Sequence, residues 1–122
     1  MDGKHVLIEP PIQSGSMYYN YKQHFSIVLL AIVDAGLRFI YVDVGTNGRV
    51  GDKGVWNKCT IKACLDQNTL KIPPPCPLPG THKEFPFVIV GDEGFMLTNN
   101  VLIPYPKEQL RGRPDRAIFN YR

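Results

Sequence analysis

The stretch Ile27-Val28-Leu29-Leu30-Ala31-Ile32-Val33 is the longest apolar run in the chain, seven residues without a polar interruption. It lies within a longer run, His24 to Val33, that stops at the turn-forming Asp34-Ala35-Gly36, so it reads as a strand. A strand that is apolar at successive positions has no face suited to water and is expected to be covered on both sides. Seven residues are also far fewer than the roughly 20 that a membrane helix requires, and no membrane span is expected.

Around this strand two others are legible. Lys4-His5-Val6-Leu7-Ile8 is a short β-prone run stopped by Pro10-Pro11. Arg38 to Val44 alternates, with Phe39 and Tyr41 on one side and Ile40, Val42 and Val44 on the other. Three antiparallel strands are therefore expected, the last two joined through Asp34-Ala35-Gly36. Gly45, Gly48, Gly51 and Gly54 punctuate the loop that follows. It has neither a Gly-Lys-Ser/Thr phosphate cradle nor a dinucleotide fingerprint, so it reads as a flexible lead into a helix. Asp52 stands where it would cap that helix, expected from about Lys53 to Leu65, with Val55, Trp56, Cys59, Ala63 and Leu65 as core contacts. The segment Ile72 to Pro79 is extended, polyproline-like backbone and serves as a stiff connector. Phe85 to Asp92 reads as a buried strand with an aspartate at its carboxyl end. Entering after a helix, it is expected to lie parallel to the first strand through a right-handed crossover. Ile103 to Pro106 reads as loop, and Asn120-Tyr121-Arg122 as the start of a helix. The fold class is thus α/β: a mixed sheet of three antiparallel strands, a helix and a parallel strand.

Composition sets the frame for function. A chain of 122 residues with 43% hydrophobic and 20% charged residues is globular and sized for one domain, residues 1–122. A domain of this size buries roughly two-thirds of its unfolded surface, enough for one core. The net charge of +3 is mildly basic, and Arg111, Arg113, Arg116 and Arg122 concentrate near the end, where they suit either a solvated tail or contact with a polyanion. Cys59, Cys64 and Cys76 are odd in number and match no disulfide framework, which points to a reducing compartment. They do not form a zinc motif with His82: no Cys-x-x-Cys occurs, and positions 59 and 64 point about 140° apart on a helix.

The aspartates carry the chemistry. Asp2 heads the first strand, Asp52 stands at the junction of loop and helix, and Asp92 ends the fourth strand, where ligands of open α/β sheets bind. Each taken singly also suits a turn or cap. Three carboxylates brought into one cleft would repel by roughly 4 kcal/mol per pair at 4 Å and an effective dielectric of 20. They stay ionised together only beside a cation. Hard oxygen donors favour Mg²⁺ or Mn²⁺.

The segments that carry these aspartates resemble a known family. Met1-Asp2-Gly3-Lys4-His5-Val6 is similar to the Asp-Gly-Thr/Lys-His-Val opening of PIF/Harbinger-type transposases, which are DDE superfamily endonucleases. Tyr19-Asn20-Tyr21-Lys22, the run Ser26 to Ala35 and Arg38-Phe39 continue the likeness. So do Gly45 to Asp52 (the family's Gly-x-x-Gly-Ser-x-His-Asp), Val90-Gly91-Asp92-Glu93-Gly94-Phe95 (its Gly-Asp-x-x-Tyr/Phe) and Phe119-Asn120-Tyr121-Arg122.

The resemblance implies an RNase H-like fold and metal-dependent cleavage of DNA. Carried over residue by residue, it makes Asp2 and Asp92 the catalytic aspartates and Asp52 a further metal ligand, with Mg²⁺ or Mn²⁺ as cofactor. In the two-metal scheme one ion activates the attacking water or 3′-hydroxyl and the other stabilises the leaving oxygen. Asp34 matches a recurrent family position and reads mainly as a turn residue. DNA is the implied partner, together with a separate Myb-like DNA-binding protein, and the nucleus the implied location. The sequence departs from the family at Gly51, where a histidine is usual, and neither Glu93 nor Glu108 sits in the motif of the family's final acidic ligand. That ligand is a glutamate on a helix just past Asn-Tyr-Arg. The expectation is therefore a partial domain, truncated before that C-terminal helix and weak or inactive as a nuclease. The alternative is a domesticated, catalytically dead module that binds DNA or protein, with Arg111, Arg113, Arg116 and Arg122 as the contact surface.

Overall fold

A computed structural model describes all residues, 1–122. The chain divides into two compact units, Met1–Lys71 and Ile72–Arg122.

The first unit is built on a three-stranded antiparallel sheet in the order β1 (Asp2–Leu7), β2 (Ser26–Val33), β3 (Phe39–Asn47). The three expected antiparallel strands form. Register runs from Asp2 opposite Ala31 to Leu7 opposite Ser26, and from Ile27 opposite Asn47 to Val33 opposite Phe39. Successive side chains of a strand point to opposite faces. Ser26, Val28, Leu30 and Ile32 therefore share one face of β2, and all four are buried. On the other face Ile27, Leu29 and Ala31 are only half-buried, so the cover expected on both sides is complete on one.

The buried face of β2 packs against α1 (Asp52–Lys58), and α2 (Thr60–Asp66) follows directly. Where a single helix was expected the chain breaks at Cys59, whose backbone is extended at φ −73°, ψ 150°. Packing explains the break. On one straight helix, at about 100° per residue, Ile61 would lie nearly opposite the stripe of Val55, Trp56 and Cys59. The break at Cys59 lets Ile61 join these three in the core. Ala63, by contrast, is exposed and Leu65 only half-buried. Burial pushes the Cys59 thiol above its ordinary value, and its Sγ–H donates to the Trp56 carbonyl at 3.0 Å.

The β2–β3 turn is organised by Asp34. Its Oδ1 accepts from the backbone N–H groups of Gly36 (2.8 Å) and Arg38 (2.9 Å), and its Oδ2 from the Arg38 guanidinium. The turn role read from the sequence is the one the structure gives.

The second unit opens on Ile72–Pro75, which lacks regular structure. It continues in a hairpin of β4 (Cys76–Pro77) with β5 (Glu84–Phe85). The long strand expected from Phe85 to Asp92 is instead two short pieces, β5 and β6 (Ile89–Val90), parted by Pro86, which has no N–H to give a ladder. Nor is it buried throughout: Phe85, Phe87 and Val90 are exposed, Val90 to 62%. β6 does run parallel to a neighbour, but the neighbour is β7 (Val101–Leu102), with Ile89 opposite Val101, and not β1. The architecture is mixed α/β, with three separate sheets in place of the single mixed sheet expected.

The end of the chain becomes helical earlier than expected. A 3₁₀ turn at Lys107–Leu110 precedes α3 (Pro114–Tyr121), which starts on Pro114 rather than near Asn120; proline at the first helical position is preset for a helix. Asn120 fastens α3 to the preceding loop through two reciprocal bonds. Its Oδ1 accepts from the Tyr105 N–H at 2.8 Å, and its Nδ2 donates to the Tyr105 carbonyl at 2.9 Å. No helix of the chain is long and apolar enough to cross a membrane.

Candidate metal and nucleic-acid site

In the first unit the sequence-derived site residues Asp2 and Asp52 line one cleft of about 310 Å³, together with Lys4, His5, Lys22 and His24. Asp2 begins β1 and is exposed; its Oδ1 accepts from the Gly3 N–H at 2.8 Å. Asp52 reaches the same place from α1. It does not cap the helix, since Gly51 is the cap residue and no side chain closes it. Its carboxylate lies directly against Gly3 instead, where a Cβ would fall 2.7 Å from Asp52 Cγ. Glycine at position 3 is what allows this approach.

Pleat parity sets how the two carboxylates meet. Gly3 pairs with Leu30, on the buried face, and Asp2 with Ala31, on the other. The Asp2 side chain thus leaves the strand on the face opposite to that on which Asp52 touches Gly3. Two carboxylates flank one glycine, and no group of three or more His, Cys, Asp or Glu side chains is gathered. Two aspartate oxygens fit a hard divalent cation of the Mg²⁺ class, which keeps several waters and is held by one or two carboxylates. Asp2 and Asp52 are the carboxylates of this unit that line the cleft; because they lie on opposite faces of the strand, either would hold such a cation as a single carboxylate.

A buried polar hub stands behind the cleft. Ser26 is fully buried, and its Oγ takes a hydrogen bond from Asn20 Nδ2 at 2.8 Å and lies 2.9 Å from His5 Nδ1. Asn20, 4% exposed, accepts the N–H groups of Lys22 (2.9 Å) and His24 (3.2 Å) at Oδ1. It thereby folds the loop that brings these two residues to the cleft. Gly48 is drawn so close to the hub that a Cβ there would fall 2.6 Å from the Ser26 carbonyl and 2.7 Å from that of Tyr18. Lys4, Lys22, His24 and the hub were not picked out as site residues from the sequence. Tyr19-Asn20-Tyr21-Lys22 stands out there as a polar, aromatic stretch, but nothing in its spacing relates it to Ser26 or His5.

Asp92 lies in the second unit, exposed and two residues past β6, where its Oδ1 accepts from the Gly94 N–H at 3.0 Å. Position at the carboxyl end of a parallel strand was expected of it, although the paired strand is β7. Of the four arginines near the end of the chain, two have intramolecular partners. Arg113 forms a two-point ion pair with Asp115 at 2.9 and 3.1 Å, which holds the Asp115 carboxyl below its usual range. Arg116 donates to Gln109 Oε1 at 2.8 Å and lies over the Tyr105 ring at 4.7 Å. Arg111 and Arg122 are exposed.

Comparison with known proteins gives one family. No curated protein and no solved structure matches the chain. A family model described as DDE superfamily endonuclease matches residues 1–122, which include Asp2, Asp52 and Asp92. The match runs over every residue, and the conclusion is that the chain belongs to the DDE superfamily endonucleases.

Proposed function

We propose that this chain is a divalent-metal-dependent DNA endonuclease module of the PIF/Harbinger type. Asp2 and Asp92 serve as its catalytic carboxylates, and Asp52 as a further ligand. The observation that carries the reading is the seating of the Asp52 carboxylate on Gly3, in one cleft with Asp2. A strand glycine that admits a carboxylate from a helix far along the chain brings a second oxygen donor to the cleft that Asp2 lines. When bound, Mg²⁺ or Mn²⁺ would activate the attacking oxygen and stabilise the leaving one. The chain's own part is to hold the carboxylates in place, with Lys4 and Lys22 offering positive charge to the phosphate backbone. By the same motifs the module acts in the nucleus beside a Myb-like DNA-binding partner.

The test is nicking of supercoiled plasmid DNA by the purified chain with Mn²⁺, against chelated controls. Nicking that disappears in Asp2→Asn and Asp92→Asn, with unaltered thermal melts, supports the proposal. A chain that binds no Mn²⁺ and nicks no better than these variants refutes it.

A further inference from the structure

The cleft holds one donor whose proton the fold itself places. Because Asn20 Oδ1 accepts two backbone N–H groups, the end of the amide turned to Ser26 is the nitrogen. Ser26 Oγ accepts from it and, fully buried, has its own single proton left to direct. The remaining neighbour is His5 Nδ1 at 2.9 Å. Were Nδ1 protonated, Oγ would receive two donors and its own hydrogen would be buried without an acceptor, an expensive arrangement. Nδ1 therefore accepts, and the proton of the neutral ring sits on Nε2. The imidazolium form carries a proton there as well. Nε2 is thus a donor in either state, and His5 offers the cleft no lone pair for a metal or for proton abstraction.

That donor has no protein partner. His5 lines the same cleft as Asp2, Asp52, Lys4 and Lys22, its hydrogen bond to the protein is made through Nδ1, and the Tyr21 ring packs edge-on against it at 5.7 Å. We infer that His5 Nε2–H binds a non-bridging phosphate oxygen of a nucleic-acid backbone lying in this cleft. His5 is then a substrate-positioning residue, aligned by Ser26 and Asn20. The inference rests on the endonuclease reading and names how that site grips its substrate.

The experiment is nitrogen-15 NMR of the histidine rings in the full chain, with metal chelated, before and after addition of a short DNA duplex. The expected spectrum shows His5 protonated at Nε2 and bare at Nδ1, with the Nε2 resonance moving on addition of DNA. In parallel, His5→Phe weakens duplex binding about tenfold, the size of one hydrogen bond to a charged group. A His5 ring protonated at Nδ1 instead, or an Nε2 resonance that DNA leaves in place, overturns the inference. The spectra are taken on the unsubstituted chain, so they decide the matter even if His5→Phe fails to fold. They need no cleavage, so a chain that binds no Mn²⁺ and never nicks DNA refutes the proposed function while leaving this result to stand or fall by itself.

Discussion

The Asp52 carboxylate rests on the backbone of Gly3, with no room between them for a single methyl group. This contact joins the first strand to the first helix and fixes a cleft residue in the same step. Gly3→Ala is therefore expected to cost about 1–3 kcal/mol, the usual range for overpacking, visible as a lower melting temperature. The loss should shrink in an Asp52→Gly background, where the methyl group meets no carboxylate. Such non-additivity in a double-mutant cycle is the signature of direct contact. Equal losses in both backgrounds would remove Asp52 from the explanation.

The hub behind the cleft gives a second expectation. Ser26→Ala removes the acceptor of a buried Asn20 amide and the partner of His5 Nδ1. Leaving a buried donor unmade costs roughly 1–3 kcal/mol, so the urea midpoint should fall with the slope unchanged. Gly48→Ala should be at least as damaging, because its methyl group would meet two backbone carbonyls, which cannot swing away as a side chain can.

Acid stability should report on the β2–β3 turn. The Arg38 backbone N–H, followed by the Arg38 guanidinium, holds the Asp34 carboxyl below its ordinary 3.8. A carboxyl whose value is lower in the folded state contributes stability that is present above the unfolded value and lost as pH falls through the folded one. Asp34→Asn should therefore lower the melting temperature at neutral pH and lessen its decline below about pH 4. Melts across pH 2 to 7 check this; parallel curves for the two proteins would contradict it.

What was legible in the sequence was local. The antiparallel trio could be read because Ile27 to Val33 is a continuous apolar run and Asp34-Ala35-Gly36 supplies its own turn chemistry. The helix break at Cys59 could not, because it serves the burial of Ile61, a demand set by the sheet and not by the helix's own periodicity. The partner of β6 was misassigned for a related reason: Pro86 shortens the strand, and strand pairing is a long-range choice that alternation does not encode. Asp2, Asp52 and Asp92 each stand out by position at an element end. The contact of Asp52 with Gly3 and the hub of Asn20, Ser26 and His5 lie between segments far apart in sequence, where spacing has nothing to say.

The clasp between Asn120 and Tyr105 should govern the order of the last helix. Its two bonds are exposed and replaceable by water, so each is worth at most roughly 0.5–1.5 kcal/mol. Tyr105 also packs edge-on against Phe119 at 5.3 Å and beneath Arg116, so the loop and α3 are held at one locus. Asn120→Ala should then leave global unfolding little changed while the Tyr105 amide and the α3 amides exchange faster with solvent. This pattern is local opening, in which a peripheral element comes away at a free energy below that of the whole molecule. Arg116→Ala should act in the same direction and less than additively with Asn120→Ala, since both fasten the same tyrosine. Hydrogen exchange resolved by residue tests both; unchanged α3 protection in the double variant would show that the helix is held by something other than this clasp.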